Sequence, residues 1–144
     1  MLVHQILKGK PEEGVMTLPP GTSVSDAAAF LSSKRIGAIV ISKDGKVPLG
    51  ILSERDIVRE LGKSGARCLT DVVDALMTKK LVSCTRQDSA DEVLEKMTVG
   101  RFRHLPVLEG NEMVGLISIG DVVKARLSEL AMEKDALEGM IMGH

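Results

Sequence analysis

The chain has 144 residues and nearly balanced charge, with 19 Lys and Arg against 20 Asp and Glu and a net charge of −1. This length suits one compact domain, and the charge balance gives no general electrostatic reason to bind nucleic acid or a lipid surface. Because the sequence holds two Phe and no Trp or Tyr, it also offers few rings on which bases could stack. We therefore predict no nucleic-acid partner.

The two cysteines and the apolar segments limit the environment of the protein. Cys68 and Cys84 are isolated in sequence, without the spacing of a zinc site or a disulfide framework, so we expect reduced thiols in a core. No apolar run approaches the ~20 residues of a membrane span, and the first residues are too short a run for a signal peptide. We predict a cytoplasmic protein with no membrane partner.

The first half of the chain predicts a short leading helix followed by the order β-α-β-β-α. Pro19-Pro20-Gly21 separates a short strand from a helix, and the Asp44-Gly45 turn divides two apolar runs that read as buried strands. Ser53 is a helix cap. The predicted elements are a leading helix at 2–7, strands at 15–18, 38–41 and 49–52, helices at 22–33 and 53–61, and a linker at 63–70.

The second half predicts the same order. A second leading helix is indicated near 72–77, followed by a strand near 81–83, a helix at 89–98, strands at 104–108 and 113–117, and a helix from Ile119. We therefore predict an α/β chain (α+β in some schemes) of two repeats, at residues 1–66 and 67–144.

One motif occurs in both halves: Gly50, Ser53 and Asp56 recur 65 residues later as Gly115, Ser118 and Asp121. Ser at a helix start with Asp three positions later is a capping pattern that needs no ligand. The same geometry suits a nucleotide, because the helix N-terminus and hydroxyl favour phosphate while the carboxylate can accept hydrogen bonds from ribose hydroxyls. Both interpretations stay open.

The positions that precede the two motifs differ in charge. Arg103 and His104 lead into a strand of the second half, where the first half has Gly37 and Ala38. Two cationic or titratable groups near a helix N-terminus would hold phosphate, whereas a solvated basic edge is the alternative. We predict that the two halves differ in affinity.

Catalytic patterns are missing from the sequence. It contains no HExxH, Walker loop or GxGxxG, and its three His are scattered. We predict that the protein is not an enzyme and holds no metal.

With these motifs in order along nearly the whole chain, the sequence resembles the cystathionine-β-synthase (CBS) domain family, and specifically a stand-alone tandem pair, the Bateman module. The resemblance rests on the repeated Gly-x-x-Ser-x-x-Asp segments and on Arg103-His104-Leu105-Pro106-Val107. It implies repeats related by a pseudo-twofold axis, two clefts between them, adenine-nucleotide binding and a homodimer of stacked modules.

The resemblance also implies residue roles. One of the two clefts would carry more groups suited to a nucleotide. There Asp121 would hold the ribose and Ser118 and Thr22 the phosphate. Arg103 and His104 would add positive charge near the phosphate. Ala27 would line this cleft, and the strand backbone near Pro106 would meet the base. The opposite cleft would use Ser53, Arg55 and Asp56, where Asp88 replaces Thr22 and disfavours phosphate.

The expected function is that of a non-catalytic adenine-nucleotide sensor acting on an unidentified regulated protein. AMP is the first choice of ligand, and ATP, ADP and NAD(H) remain open. The alternative is a ligand-free interaction module of the same fold. A stripe on the last helix, with Lys134 interrupting it, predicts packing on the domain itself or on a second copy: Val123, Leu127, Leu130, Leu137 and Ile141.

Overall fold

A computed structural model describes residues 1–10 and 15–142. The helices are α1 (Val3–Lys8), α2 (Val24–Lys34), α3 (Glu54–Ser64), α4 (Val73–Leu76), α5 (Ala90–Gly100) and α6 (Ile119–Ile141), and a 3-10 helix spans Gly65–Thr70. The strands are β1 (Thr17–Leu18), β2 (Ala38–Ile41), β3 (Gly50–Ser53), β4 (His104–Glu109) and β5 (Glu112–Ser118). The mixed α+β architecture with two similar halves confirms the predicted fold class.

Each half contains one small sheet. In the first half β2 lies in the centre, parallel to β1 and antiparallel to β3. In the second half β4 and β5 form an antiparallel pair in which His104 lies opposite Ser118. The strand predicted near 81–83 was wrong: the chain there makes only an isolated parallel bridge between Cys84 and Val107.

The predicted linker at 63–70 is structured. Helix α3 continues to Ser64, and the 3-10 helix packs against both α2 and α3. Cys68 in this segment is fully buried and Leu69 packs against the first-half core, which explains why the segment folds onto the domain. Cys68 and Cys84 are both buried free thiols, as expected, and burial is the main cause that raises the pKa of Cys84 to about 11.

The two leading helices, α1 and α4, are exchanged between the halves. Val3 and Ile6 of α1 are buried in the core of the second half, and the Val3 N–H donates to the Asp88 carbonyl at 2.8 Å. Val73 of α4 is buried in the core of the first half, and its N–H donates to the Thr22 carbonyl at 2.8 Å. Each helix therefore covers the half that does not follow it in sequence.

A third apolar cluster joins the two sheets. Ala38, Val40 and Ile51 of the first half are buried there, and partly buried side chains from the second half, Met113 and Leu116, pack against them. The backbone also connects the halves, because the Met113 N–H donates to the Lys46 carbonyl at 2.7 Å. The halves thus form a continuous body whose interface is available for a site.

The glycine that opens each repeated motif makes room for the exchanged helix segment. A Cβ on Gly50 would lie 2.5 Å from Met77 Sδ and 3.0 Å from the Thr78 carbonyl oxygen, and a Cβ on Gly115 would lie 2.8 Å from Leu7 Cδ1. Real side chains do not approach so closely. Gly50 is therefore favoured by a backbone contact of the exchanged segment, whereas at Gly115 the Leu7 side chain would have to move.

We expect Gly50→Ala to lower the free energy of unfolding by about 1–3 kcal/mol, because the added methyl group meets a backbone carbonyl as well as a side chain. Gly62→Ala is the matched control: Gly62 lies within α3 with open space around its Cβ position, so the change should raise stability by about 0.5–1 kcal/mol. Urea unfolding of both variants measures the difference, and equal effects would contradict the close contact.

Candidate functional site

A cavity of about 620 Å³ lies between the two halves. Its first-half wall includes Lys10, Val15, Met16 and Gly37, and its second-half wall includes His104, Leu116, Ser118 and Asp121. The volume falls within the range of small-molecule sites, and the wall combines apolar surface with a few polar groups. Three of the residues predicted to bind ligand, His104, Ser118 and Asp121, are therefore brought together.

Asp121 is held at the first turn of α6. Its Oδ2 accepts the Ser118 N–H at 2.8 Å, while the Asp121 N–H donates to Ser118 Oγ at 3.1 Å, which completes a capping box. Oδ2 also accepts a hydrogen bond from Lys10 Nζ at 2.9 Å. Burial alone would raise the pKa of this carboxyl, but these two donors outweigh it and lower the pKa, so Asp121 is ionised at neutral pH.

His104 begins β4 beside this carboxylate and is mostly buried. Burial is the main cause that lowers the pKa of His104 from its usual 6.5, and the positive charge of Lys10 adds to it, although Asp121 and Glu54 act in the opposite direction. The imidazole is therefore neutral at pH 7. An anion that enters beside it would favour the protonated form.

Gly37 and Ala38 lie on the same cavity, facing the second half. A Cβ on Gly37 would be 3.9 Å from His104 Cε1, which shows how near the two halves approach there. Because Gly37 and Ala38 are small, they leave open the space in front of His104.

Thr22 and Ala27 do not line the cavity. The start of α2 is covered by the segment before α4: the Val24 N–H donates to the Asp71 carbonyl at 2.8 Å, and Thr22 Oγ1 donates to the Pro19 carbonyl at 2.7 Å. Ala27 is fully buried in the first-half core. The exchanged helix explains why the structure separates these two residues from Ser118 and Asp121.

Arg103 and Pro106 are also outside the cavity wall. Arg103 is exposed, and its carbonyl accepts the Ile119 N–H at 2.8 Å. Pro106 is buried, and its carbonyl already accepts the Cys84 N–H at 3.0 Å. Arg103 thus supports the start of α6 through its backbone, and the Pro106 carbonyl is occupied.

The first-half motif has a different environment. Asp56 is buried, its Oδ2 accepts the Ser53 N–H at 2.9 Å and the Ser53 hydroxyl at 3.0 Å, and Arg59 pairs with its Oδ1 at 2.6 Å. Arg55 is exposed on the same helical turn. Both Asp56 oxygens are thus engaged within a single helix start, as expected for a cap.

Asp88 occupies the position that corresponds to Thr22. Its carbonyl accepts the Val3 N–H of α1, just as the Thr22 carbonyl accepts the Val73 N–H of α4. Its carboxylate accepts the Thr85 N–H at 2.9 Å and lies 3.6 Å from Lys96 Nζ. Its negative charge is therefore partly balanced by its own half.

Sequence reasoning missed Lys10 and the apolar residues Val15 and Met16 as cavity residues. The sequence marks these residues only by their location between α1 and β1. They reach the second half because α1 packs on that half. Lys124, on the helical turn after Asp121, also lines the cavity and is exposed. The structure thus adds two lysines to the site.

Comparison with known proteins identifies the fold and the family. Residues 7–63 and 72–128 each match the CBS domain. The mitochondrial CBS domain-containing protein CBSX3 of Arabidopsis thaliana is 33% identical over 141 residues, which cover 94% of this chain and 68% of the relative. Other plant relatives are longer; this chain spans 22% of CBSCBSPB3 of Arabidopsis thaliana.

Solved structures agree with this assignment. The CBS-domain containing protein ATU1752 from Agrobacterium tumefaciens has a TM-score of 0.83 and 43% identity, with coverage of 88% of this chain and 99% of the other. The CBS domain protein PAE2072 from Pyrobaculum aerophilum, complexed with AMP, has a TM-score of 0.77 and 26% identity, with coverage of 92% and 99%. The chain belongs to the CBS domain family, and its two repeats are CBS domains in tandem.

The described residues contain neither a metal-binding cluster nor a membrane-spanning helix. Within residues 1–10 and 15–142 there is no group of three His, Cys, Asp or Glu placed to hold a metal ion. No helix in that part of the chain is long and apolar enough to cross a bilayer.

We expect the free energy of unfolding to fall as pH decreases through the usual His pKa of 6.5, because the unfolded chain then binds a proton that the partly buried His104 of the folded protein does not. For one proton, the free energy of unfolding can change by at most about 1.4 kcal/mol per pH unit. Urea unfolding at pH 7.5 and 5.5 measures it. His104→Gln should reduce the loss, and equal losses in the wild type and in this variant would contradict the assignment.

Proposed function

We propose that this CBS pair is a non-catalytic regulatory module that binds an adenine nucleotide in the cavity between its halves. The observation that supports this most directly is the ionised Asp121 at the cavity wall, beside a helix N-terminus and a neutral His104. This set provides an acceptor for hydroxyl groups next to donors for an anion.

Each part of the nucleotide would contact a different group of the cavity wall. Asp121 would accept hydrogen bonds from ribose hydroxyls, and the Ser118 hydroxyl, whose oxygen accepts the Asp121 N–H, would turn its proton from the carboxylate to phosphate. His104 would become protonated beside that phosphate. The apolar wall at Val15, Met16 and Leu116 offers a surface for the base.

AMP is the ligand we favour, with ADP, ATP and NAD(H) as alternatives. The Pyrobaculum aerophilum relative is complexed with AMP. The cavity volume of about 620 Å³ suits a mononucleotide.

Binding would act on a regulated protein through the packing of the two halves. Because the cavity has walls from both halves, a ligand can have different affinities for two arrangements of them. That difference is the free energy available for a signal.

The alternative is an interaction module of the same fold that binds no ligand. The capping boxes at Ser53 and Ser118 are complete without a ligand, which favours this view. The two proposals differ in one measurable quantity, the response of the protein to nucleotide.

We expect AMP to raise the melting temperature of the wild-type protein, since a ligand that binds only the folded state adds about 2.7 kcal/mol at about 100 times its Kd. Asp121→Asn should weaken AMP binding about 10- to 100-fold in calorimetry, because a charged acceptor becomes neutral. Asp56→Asn, the corresponding change in the other motif, should leave that affinity within about twofold.

Binding that is equal in the two variants would move the site away from Asp121. A wild-type protein whose melting is unchanged by millimolar AMP, ADP, ATP and NAD(H) would support the ligand-free module instead.

We also propose that the protein is a homodimer. The predicted stripe on α6 is exposed: Leu127, Leu130 and Leu137 have exposed fractions of 63%, 49% and 60%. The buried residues of α6 are Val122 and Ala125, so the following helical turns project from the core. A helix with an apolar stripe and no core beneath it is stabilised by a partner helix.

Light scattering after gel filtration should give the dimer mass for the wild type and the monomer mass for Leu130→Glu, which places a charge in the stripe. Asp135→Lys, also on α6 but off the stripe, should remain dimeric. A monomeric wild-type protein would contradict the homodimer.

A further inference from the structure

Lys10 follows α1 and reaches into the inter-repeat cavity. Its Nζ donates to Asp121 Oδ2 at 2.9 Å and to the Leu116 carbonyl at 3.0 Å. The Lys10 and Asp121 side chains are 24% and 22% exposed, so the pair is largely shielded from water. Charged hydrogen bonds in such surroundings are stronger than those at a surface.

This contact uses the carboxylate that we assign to the ribose. Asp121 Oδ2 already accepts the Ser118 N–H as part of the helix cap, and Lys10 is its second donor. A ribose diol that binds Asp121 must therefore compete with the ammonium. Removing the ammonium from Asp121 without a new partner would leave a partly buried charge unpaired, which is costly.

A phosphate would supply that new partner. Lys10 lies within electrostatic reach of His104, as its effect on that imidazole shows, and His104 is the residue that we place beside the phosphate. The lysine stem is flexible and its ammonium is a compact charge that can change partners. A ligand that carries both ribose and phosphate could exchange one ion pair for another.

The first half lacks this arrangement. The cation on Asp56 is Arg59, three residues later on the same helix, whereas Lys10 is 111 residues from Asp121 in sequence. Lys124, which corresponds to Arg59, lies on the cavity without being the residue bonded to Asp121. A cation that crosses from the other half is thus particular to the Asp121 site.

We propose that Lys10 makes the cavity selective for phosphorylated nucleosides. Its ammonium pairs with Asp121 when no nucleotide is bound and moves to the phosphate when a nucleotide binds. This inference rests on the proposed function and adds the residue that discriminates among its ligands. A nucleoside without phosphate is disfavoured because it displaces the ammonium and offers no anion in return.

The test compares adenosine with AMP by calorimetry in four proteins: the wild type, Lys10→Met, Lys80→Met and Lys124→Met. Methionine keeps the length of the stem and removes the charge. In Lys10→Met, adenosine should bind more tightly and AMP more weakly, so that the preference for AMP over adenosine falls at least about 10-fold. Lys80 follows α4 and is exposed, so Lys80→Met should keep the wild-type preference within about twofold.

Lys124→Met separates the exchange of partners from general positive charge in the cavity. It should weaken AMP without strengthening adenosine, because Asp121 keeps its bond to Lys10. If Lys124→Met strengthens adenosine as Lys10→Met does, the special role of Lys10 is overturned.

The outcomes also distinguish this inference from the proposed function. If AMP binds the wild type and Lys10→Met changes adenosine and AMP by the same factor, Lys10 is only a competitor and the selectivity proposal fails alone. If neither compound binds the wild type or Lys10→Met, the nucleotide site itself is refuted together with the inference. Circular dichroism of each variant verifies that it is folded.

Discussion

The exchange of α1 and α4 between the halves is the contact on which the rest of the structure depends. Each helix supplies a buried valine to the opposite core, Val3 in one case and Val73 in the other. Leu7 in α1 and the segment after α4, at Met77 and Thr78, then lie over the glycine that opens the repeated motif of the opposite half. Because of this crossing, residues before β1 reach the second half, and the cavity acquires walls from both ends of the chain.

The exchange also explains why two similar motifs have unequal surroundings. After α4 the chain continues along β3, where Ile51 and Thr78 exchange two backbone hydrogen bonds, at 3.0 and 2.9 Å. After α1 the corresponding carbonyl, that of Leu116, instead accepts the Lys10 ammonium. Both motifs form complete capping boxes, but the strand of the first is paired with backbone, while the second lies on the cavity beside the Lys10 ammonium. The duplicated sequence therefore has two different environments.

Much of this organisation could be predicted from sequence, because the motif spacing and the apolar runs are local signals. The helices, all five observed strands and the contributions of His104, Ser118 and Asp121 to one cavity followed from those signals. The family pattern places Thr22 and Ala27 on the cavity, but Ala27 is buried in the first-half core and the Thr22 carbonyl accepts the Val73 N–H of the exchanged helix α4. Lys10 was missed because its partner, Asp121, is 111 residues away in sequence, and local periodicity does not report on such long-range contacts.

The length of α6 and the crossing of α1 have a common consequence for folding. The amino group of Met1 pairs with Glu129 on α6 at 2.9 Å, across 128 residues. Such contacts close only after nearly the whole chain is made, and non-local contacts slow folding because their loop entropy is lost first. The first half obtains its covering helix, α4, directly after its own residues, whereas α1 is made first and the core that buries Val3 and Ile6 is made last. During synthesis the apolar face of α1 therefore stays uncovered longest.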